Sequence, residues 1–219
     1  MSIQSLFRKS LTFTIAVAAL SWGCGDASTT NVSADEQSAA TEGATLAQRT
    51  KTLKKIFRAA PSPMETARII QKEGLPFNAD YLCNLSMADQ DGMSTDHAIH
   101  LGLYGADVSY ASIFQKNAES LQYLEAVKTL SKELGVGSVL SEDIIARAEK
   151  NRANRDTIVT IVSRAFFDLN QQLKVAGHED LSGLVVAAGW VEGLYLATRE
   201  LDGATDGLKQ RIAEQKLIL

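Results

Sequence analysis

Apolar residues recur at three- and four-residue spacing along most of this 219-residue chain, and a capping or stopping residue brackets nearly every such run. Leu46 to Ala60 places Leu53, Ile56, Phe57 and Ala60 on one helical face, with Arg49, Lys51, Lys54, Lys55 and Arg58 around it. Ser62-Pro63-Met64-Glu65 is a capping box with proline at the first helical position, and Gly74 closes the short helix behind it. Leu75 to Met93, with Pro76, Gly92 and several Asn and Asp residues, reads as irregular chain. Further helices are expected from Ser94 or Thr95 to about Gln115, from Asn117 to Gly135, and near 142–151 behind Ser141. Others are expected from Asp156 to Ala176 with Gly177 as the stop, from Asp180 to about Leu201, and in the tail from Thr205. No run sustains strand-like alternation; "IVTIV" at 158–162 is β-branched but lies inside a helical period too long for a strand. The pattern predicts an all-α fold, a single bundle of about six to eight helices.

Two of these helices are rich in glycine and are expected at the centre. On the first, Ala98, Gly102, Gly105, Ala106 and Ser109 make a small-residue face, while His97, His100, Tyr104, Asp107, Ala111 and Phe114 share another arc. On the second, Gly189, Gly193 and Ala197 form a ridge beside the arc of Glu192, Tyr195 and Arg199. Small ridges let two helices approach at the low end of the usual 8–10 Å spacing, so these two are expected to pack together, and leucine at Gly105 or Gly193 is expected to destabilise. Leu181 to Ala197 is apolar enough to raise a membrane span. Glu192 in its middle would cost about 2.5–3.5 kcal/mol in lipid, and basic flanks are lacking, so a core helix is the better expectation.

The amino terminus has a different character. Arg8 and Lys9 precede the apolar run "LTFTIAVAALSW", and small residues stand three and one positions before Cys24, the pattern of a secretory signal over residues 1–23. Leu20, Gly23 and Cys24 resemble the lipobox of bacterial lipoproteins, although Ser21 and Trp22 depart from its commoner residues. That resemblance implies a Cys24 that carries a diacylglycerol thioether and an acylated amine, palmitate included, and so a membrane anchor. Plain secretion, with Cys24 free or bonded to Cys83, is the alternative. Residues 24–45, the lipidated cysteine and the small polar stretch after it, read as a flexible tether of roughly 25 Å root-mean-square reach. A bundle domain then occupies 46–219.

The body also carries "PSPMETARIIQKEGLPFNADYL", "LGLYGADVSYASIF", "YLEAVKTLSKELGV" and "LVVAAGWVEGLYLATREL", which together resemble an uncharacterised family of helical cell-envelope lipoproteins. The resemblance implies an α-helical fold and carries no catalytic residue with it. With one Asp and no acidic block just after Cys24, the expected place is the outer membrane, facing the periplasm.

Charge narrows the partners. Removing residues 1–23, which hold Arg8 and Lys9 and no acid, takes the formal charge from −4 to −6, so nucleic-acid binding is not expected. An envelope protein is the partner expected beside the membrane itself. No GxSxG, phosphate-binding loop, dinucleotide fingerprint or haem-attachment motif occurs, and no cofactor is expected.

Three readings of the polar arcs stay open. Tyr104, Asp107, Glu192, Tyr195 and Arg199 could form a buried network that fixes helix register, with Arg199 pairing Asp107 and the tyrosines donating to the carboxylates. They could instead line a small-molecule cleft, or, last, give a hydrolase Asp107 and Glu192 as acid and base. Zinc needs three or four ligands, and His97 with His100 supplies two at most, so no metal site is expected. Cys83 reads as a small half-buried apolar residue. A non-catalytic interaction or structural module on a lipid anchor is the leading expectation.

Overall fold

The computed structural model describes residues 61–87, 92–199 and 203–217, together with Gln48 and Lys51, both helical. The signal, Cys24, the tether, most of the Leu46–Ala60 helix and the expected helix end at Leu201 lie outside the described residues. The chain divides into two units, Met1–Ala44 and Thr45–Leu219, and all the described residues belong to the second.

Seven α-helices occur among the described residues, with no strand: α1 Pro63–Lys72, α2 Ser94–Ile113, α3 Asn117–Glu133, α4 Glu142–Lys150, α5 Arg155–Val175, α6 Glu179–Thr198 and α7 Asp206–Glu214. Short 3-10 turns at Ala79–Tyr81, Leu85–Met87, Gly137–Leu140 and Gln215–Leu217 complete the connections. The fold is all-α, as the periodicity predicts.

The helix ends follow from local chemistry. Ser62 Oγ accepts the Glu65 N–H at 3.2 Å, and Pro63 takes the position where a missing N–H costs nothing. Asn154 and Thr205 cap α5 and α7 in the same manner. Gly74, Gly135 and Gly177 stop α1, α3 and α5 at φ of +77°, +72° and +82°, where a side chain would be strained. The end of α2 has no glycine: Gln115 takes φ +58°, and Lys116 N–H bonds back to Ala111 O at 2.8 Å.

Helices α2 and α6 make the largest interhelical contact and form the core, flanked by α1, α3 and α5. Ala98, Leu101, Tyr104, Asp107, Val108 and Ala111 of α2 are completely buried. The "IVTIV" run sits in α5 with Ile158, Val159, Ile161 and Val162 buried, so its β-branched character is overridden by packing. Lys128 of α3 is tied to Glu142 of α4 at 2.7 Å and to Glu125 at 3.3 Å. Helix α6 is the one helix among the described residues long and apolar enough to cross a bilayer, with a mean hydropathy of 1.4. One side of it packs on α1, α2 and α5, and Glu192 is buried there.

The expected pairing of the two glycine-rich helices is present, and the close approach falls at one residue of each ridge. A Cβ on Gly102 would strike the Val185 carbonyl, lie 2.8 Å from Ala188 Cβ and 3.0 Å from Gly189 N. A Cβ on Gly189 would in turn lie 3.1 Å from Gly102 O. The crossing is therefore Gly102 on Gly189. Gly105 lies beneath the Phe166 ring of α5, and a Cβ on Gly193 would meet Thr66 of α1 at 3.5 Å. The two positions chosen for leucine substitution thus face α5 and α1 and not the crossing itself.

Candidate functional site

The irregular segment 75–87 is pinned to the core by phenols. Tyr104 OH donates to Asn84 O at 2.7 Å, Tyr110 OH donates to Pro76 O at 3.3 Å and accepts the Asn78 N–H at 3.1 Å, and Tyr123 OH donates to Cys83 O. Asp107 Oδ2 accepts the Cys83 N–H at 3.1 Å. Four anchors on α2 and α3 thus hold a loop that lacks periodic structure of its own, and they set Cys83 against the core.

There Cys83 meets two acids. One donor atom from each of Cys83, Asp107 and Glu192 lies within 4.8 Å of the others, with Asp107 and Glu192 buried and Cys83 half-buried. Asp107 Oδ1 and Glu192 Oε1 are buried without a hydrogen-bond partner. Among the described residues no lysine or arginine forms an ion pair with either acid, so only hydrogen bonds from Cys83 offset their burial. Burial, and then the charge of Glu192, push the Asp107 carboxyl up to about 8, against the Cys83 N–H, which favours its ionised form. Burial pushes Glu192 up to about 7. The Cys83 thiol is raised by burial first and then by the charges of both carboxylates, so it is not an activated nucleophile.

The predicted polar arc is only partly assembled. Asp107 and Glu192 meet across α2 and α6. Tyr104 lies buried on the same arc, but its proton goes to the Asn84 carbonyl. Tyr195 is 39 % exposed, and the exposed Arg199 lies over the Tyr81 and Tyr195 rings at 5.1 and 5.4 Å. The expected Arg199–Asp107 pair does not form. Arg199 shares an angular position with Glu192 but stands seven residues on, about 10 Å along the axis, so direction coincides where distance does not.

The histidines do not gather ligands. His97 is buried, the His100 ring stacks on Tyr104 at 6.2 Å with its Nδ1 unpartnered, and His178 is exposed. Among the described residues neither His97 nor His100 belongs to a cluster of three potential metal ligands. The cluster that does exist contains Cys83, which sequence spacing did not single out.

A second feature occupies the small-residue side of the α2–α6 crossing. A groove of about 360 Å³ is floored by Gly102, Gly105 and Gly189, walled by Phe166 and Phe167, and rimmed by Ser163, and no charged side chain lines it. Its volume falls in the range of small-molecule sites. The sequence places a cleft between these helices but on the polar arc; the open space lies on the glycine face, between the α2–α6 crossing, residues 61–64 at the start of α1 and the edge of α5 at Phe166 and Phe167. No protein-family model, characterised protein or solved structure matches this chain.

Proposed function

We propose that this chain is a lipid-anchored protein of the bacterial cell envelope whose helical body is a non-catalytic binding module for a small, uncharged, largely apolar molecule. The observation that carries the ligand reading is the uncharged groove over Gly102, Gly105 and Gly189. A charged ligand would be stripped of water there without a countercharge, whereas an apolar one gains about 25 cal/mol per Å² of surface buried. The anchor reading is supported by the lipobox-like sequence ending at Cys24, and the outer membrane facing the periplasm is the proposed place. A hydrolase is disfavoured because Asp107 and Glu192 are buried away from the groove lining and Cys83 is not activated.

Ligand binding is tested with the neutral dye Nile red on the Cys24→Ser chain. Saturable binding is expected, weakened at least about tenfold by Ser163→Trp, which fills the rim from an exposed position and leaves the thermal midpoint unchanged. Absent binding, or equal binding by both proteins, overturns the groove reading. An envelope protein that inserts an apolar side chain would compete with the dye.

The anchor is tested separately by growth with labelled palmitate. Wild type is expected to incorporate label and sediment with membranes, and Cys24→Ala to do neither. An unlabelled wild type recovered from the buffer-soluble fraction would remove the lipoprotein reading and leave the groove untouched.

A further inference from the structure

We propose that Cys83, Asp107 and Glu192 form a binding site for one divalent metal ion of the zinc class. The chemistry of the donors points there: a thiolate and two carboxylates are all zinc ligands, and three protein ligands with one open position is a recurrent zinc arrangement. The geometry is close to what the ion needs. Bond lengths of 2.0–2.3 Å around a tetrahedral ion put ligand atoms ~3.5 Å apart, and here the three lie within 4.8 Å of one another. Small side-chain rotations close that difference.

Independent observations support an ion rather than a bare acidic cluster. Asp107 is completely buried and Glu192 is 7 % exposed, and each keeps an oxygen with no partner. Two carboxyl groups without a cation in a core are costly, and a divalent ion supplies both the missing charge and the missing contacts. The surroundings are built to hold the third ligand. Cys83 stands in an irregular loop, yet its N–H is fixed by Asp107 Oδ2 and its carbonyl by Tyr123 OH, so the sulfur is positioned from both sides of the residue. Cys83 is also the half-buried member, which gives the ion its way in. An ion bound here would join the 75–87 loop to both central helices, and it is independent of the glycine-face groove.

The test uses Cys24→Ser protein prepared metal-free and titrated with zinc, then with cobalt as a spectroscopic stand-in. One equivalent of zinc is expected to bind and raise the thermal midpoint, and cobalt is expected to give a thiolate-to-metal charge-transfer band in the near ultraviolet. Cys83→Ser should abolish that band, and Cys83→Ser, Asp107→Asn and Glu192→Gln should each weaken zinc binding at least about tenfold, with helical circular dichroism retained. If a carboxamide variant fails to fold, the cobalt band of the unsubstituted site still decides. Absence of that band, less than a tenth of an equivalent bound at micromolar zinc, or zinc binding undiminished in Cys83→Ser, overturns the site.

Discussion

Replacing Gly102 with alanine is expected to cost about 3 kcal/mol or more of unfolding free energy, and replacing it with leucine to prevent folding. The added Cβ has no room: it meets the backbone carbonyl of Val185 and the backbone nitrogen of Gly189 at 3.0 Å, as well as Ala188 Cβ at 2.8 Å. Backbone cannot rotate aside as a long side chain can, so α2 and α6 must separate. Separating them thins the largest contact in the bundle and loosens Tyr104, Asp107 and Val108, all completely buried. Gly193→Ala is the contrast, because its Cβ would meet Thr66 at an ordinary 3.5 Å and an alanine gains up to about 1 kcal/mol of helix propensity over glycine. Urea unfolding of both variants gives the check. Similar losses at Gly102 and Gly193 would mean that the helices cross elsewhere.

That contrast marks where sequence reasoning reaches and where it stops. Small residues at helical spacing tell which faces can come close, and they pair α2 with α6 correctly. The residue at the crossing depends on the angle between the axes and on what else leans on them. Phe166 of α5 claims the space above Gly105, and Thr66 of α1 the space beside Gly193. Helix ends are legible where Ser62, Gly74 and Gly177 act on their own neighbours in sequence. Cap positions slip by one or two residues at Lys116 before α3 and His178 before α6, where the capping side chain does no bonding, and at α5, where Asn154 and not the expected Asp156 caps the helix by accepting the Thr157 N–H.

The acid cluster was half legible. Asp107 and Glu192 stand out as charges on apolar helices, and a buried charge demands a partner. Helical angle suggested Arg199, but axial distance excludes it. Cys83 carries no periodic signal. It reaches Asp107, 24 residues away, only because Tyr104, Tyr110 and Tyr123 clamp a loop whose path no local rule dictates. Three tyrosines on two helices, each buried and each needing a hydrogen-bond partner, were the available hint that something irregular lies over them.

The metal-free protein is expected to lose stability as pH rises from about 5 to 8, the reverse of a protein held by ionised acids. Asp107 and Glu192 are raised to about 8 and about 7 by burial, and in Asp107 also by the charge of its neighbour. In the unfolded chain both titrate near 4. Between those limits the folded state holds more protons than the unfolded state, so unfolding releases protons and is favoured as pH rises. The stabilisation is complete below pH 4 for these two groups, falls through neutrality and levels off above about 9. Other carboxylates lose their own favourable contacts in acid, which sets the lower edge of a clean window near 5. The loss across that window is on the order of 6 kcal/mol, the larger share from Asp107. Asp107→Asn keeps the shape and the acceptor for the Cys83 N–H while removing the ionisation, so it should flatten most of the slope and leave the variant more stable than wild type at pH 8. Unfolding midpoints in denaturant at pH 5, 6.5 and 8 decide it: equal slopes in wild type and Asp107→Asn would mean that the buried carboxyl finds a cation in solution. Zinc added at pH 8 should restore the lost stability in wild type and not in the variant, because the ion then neutralises the charges that protons neutralise at pH 5.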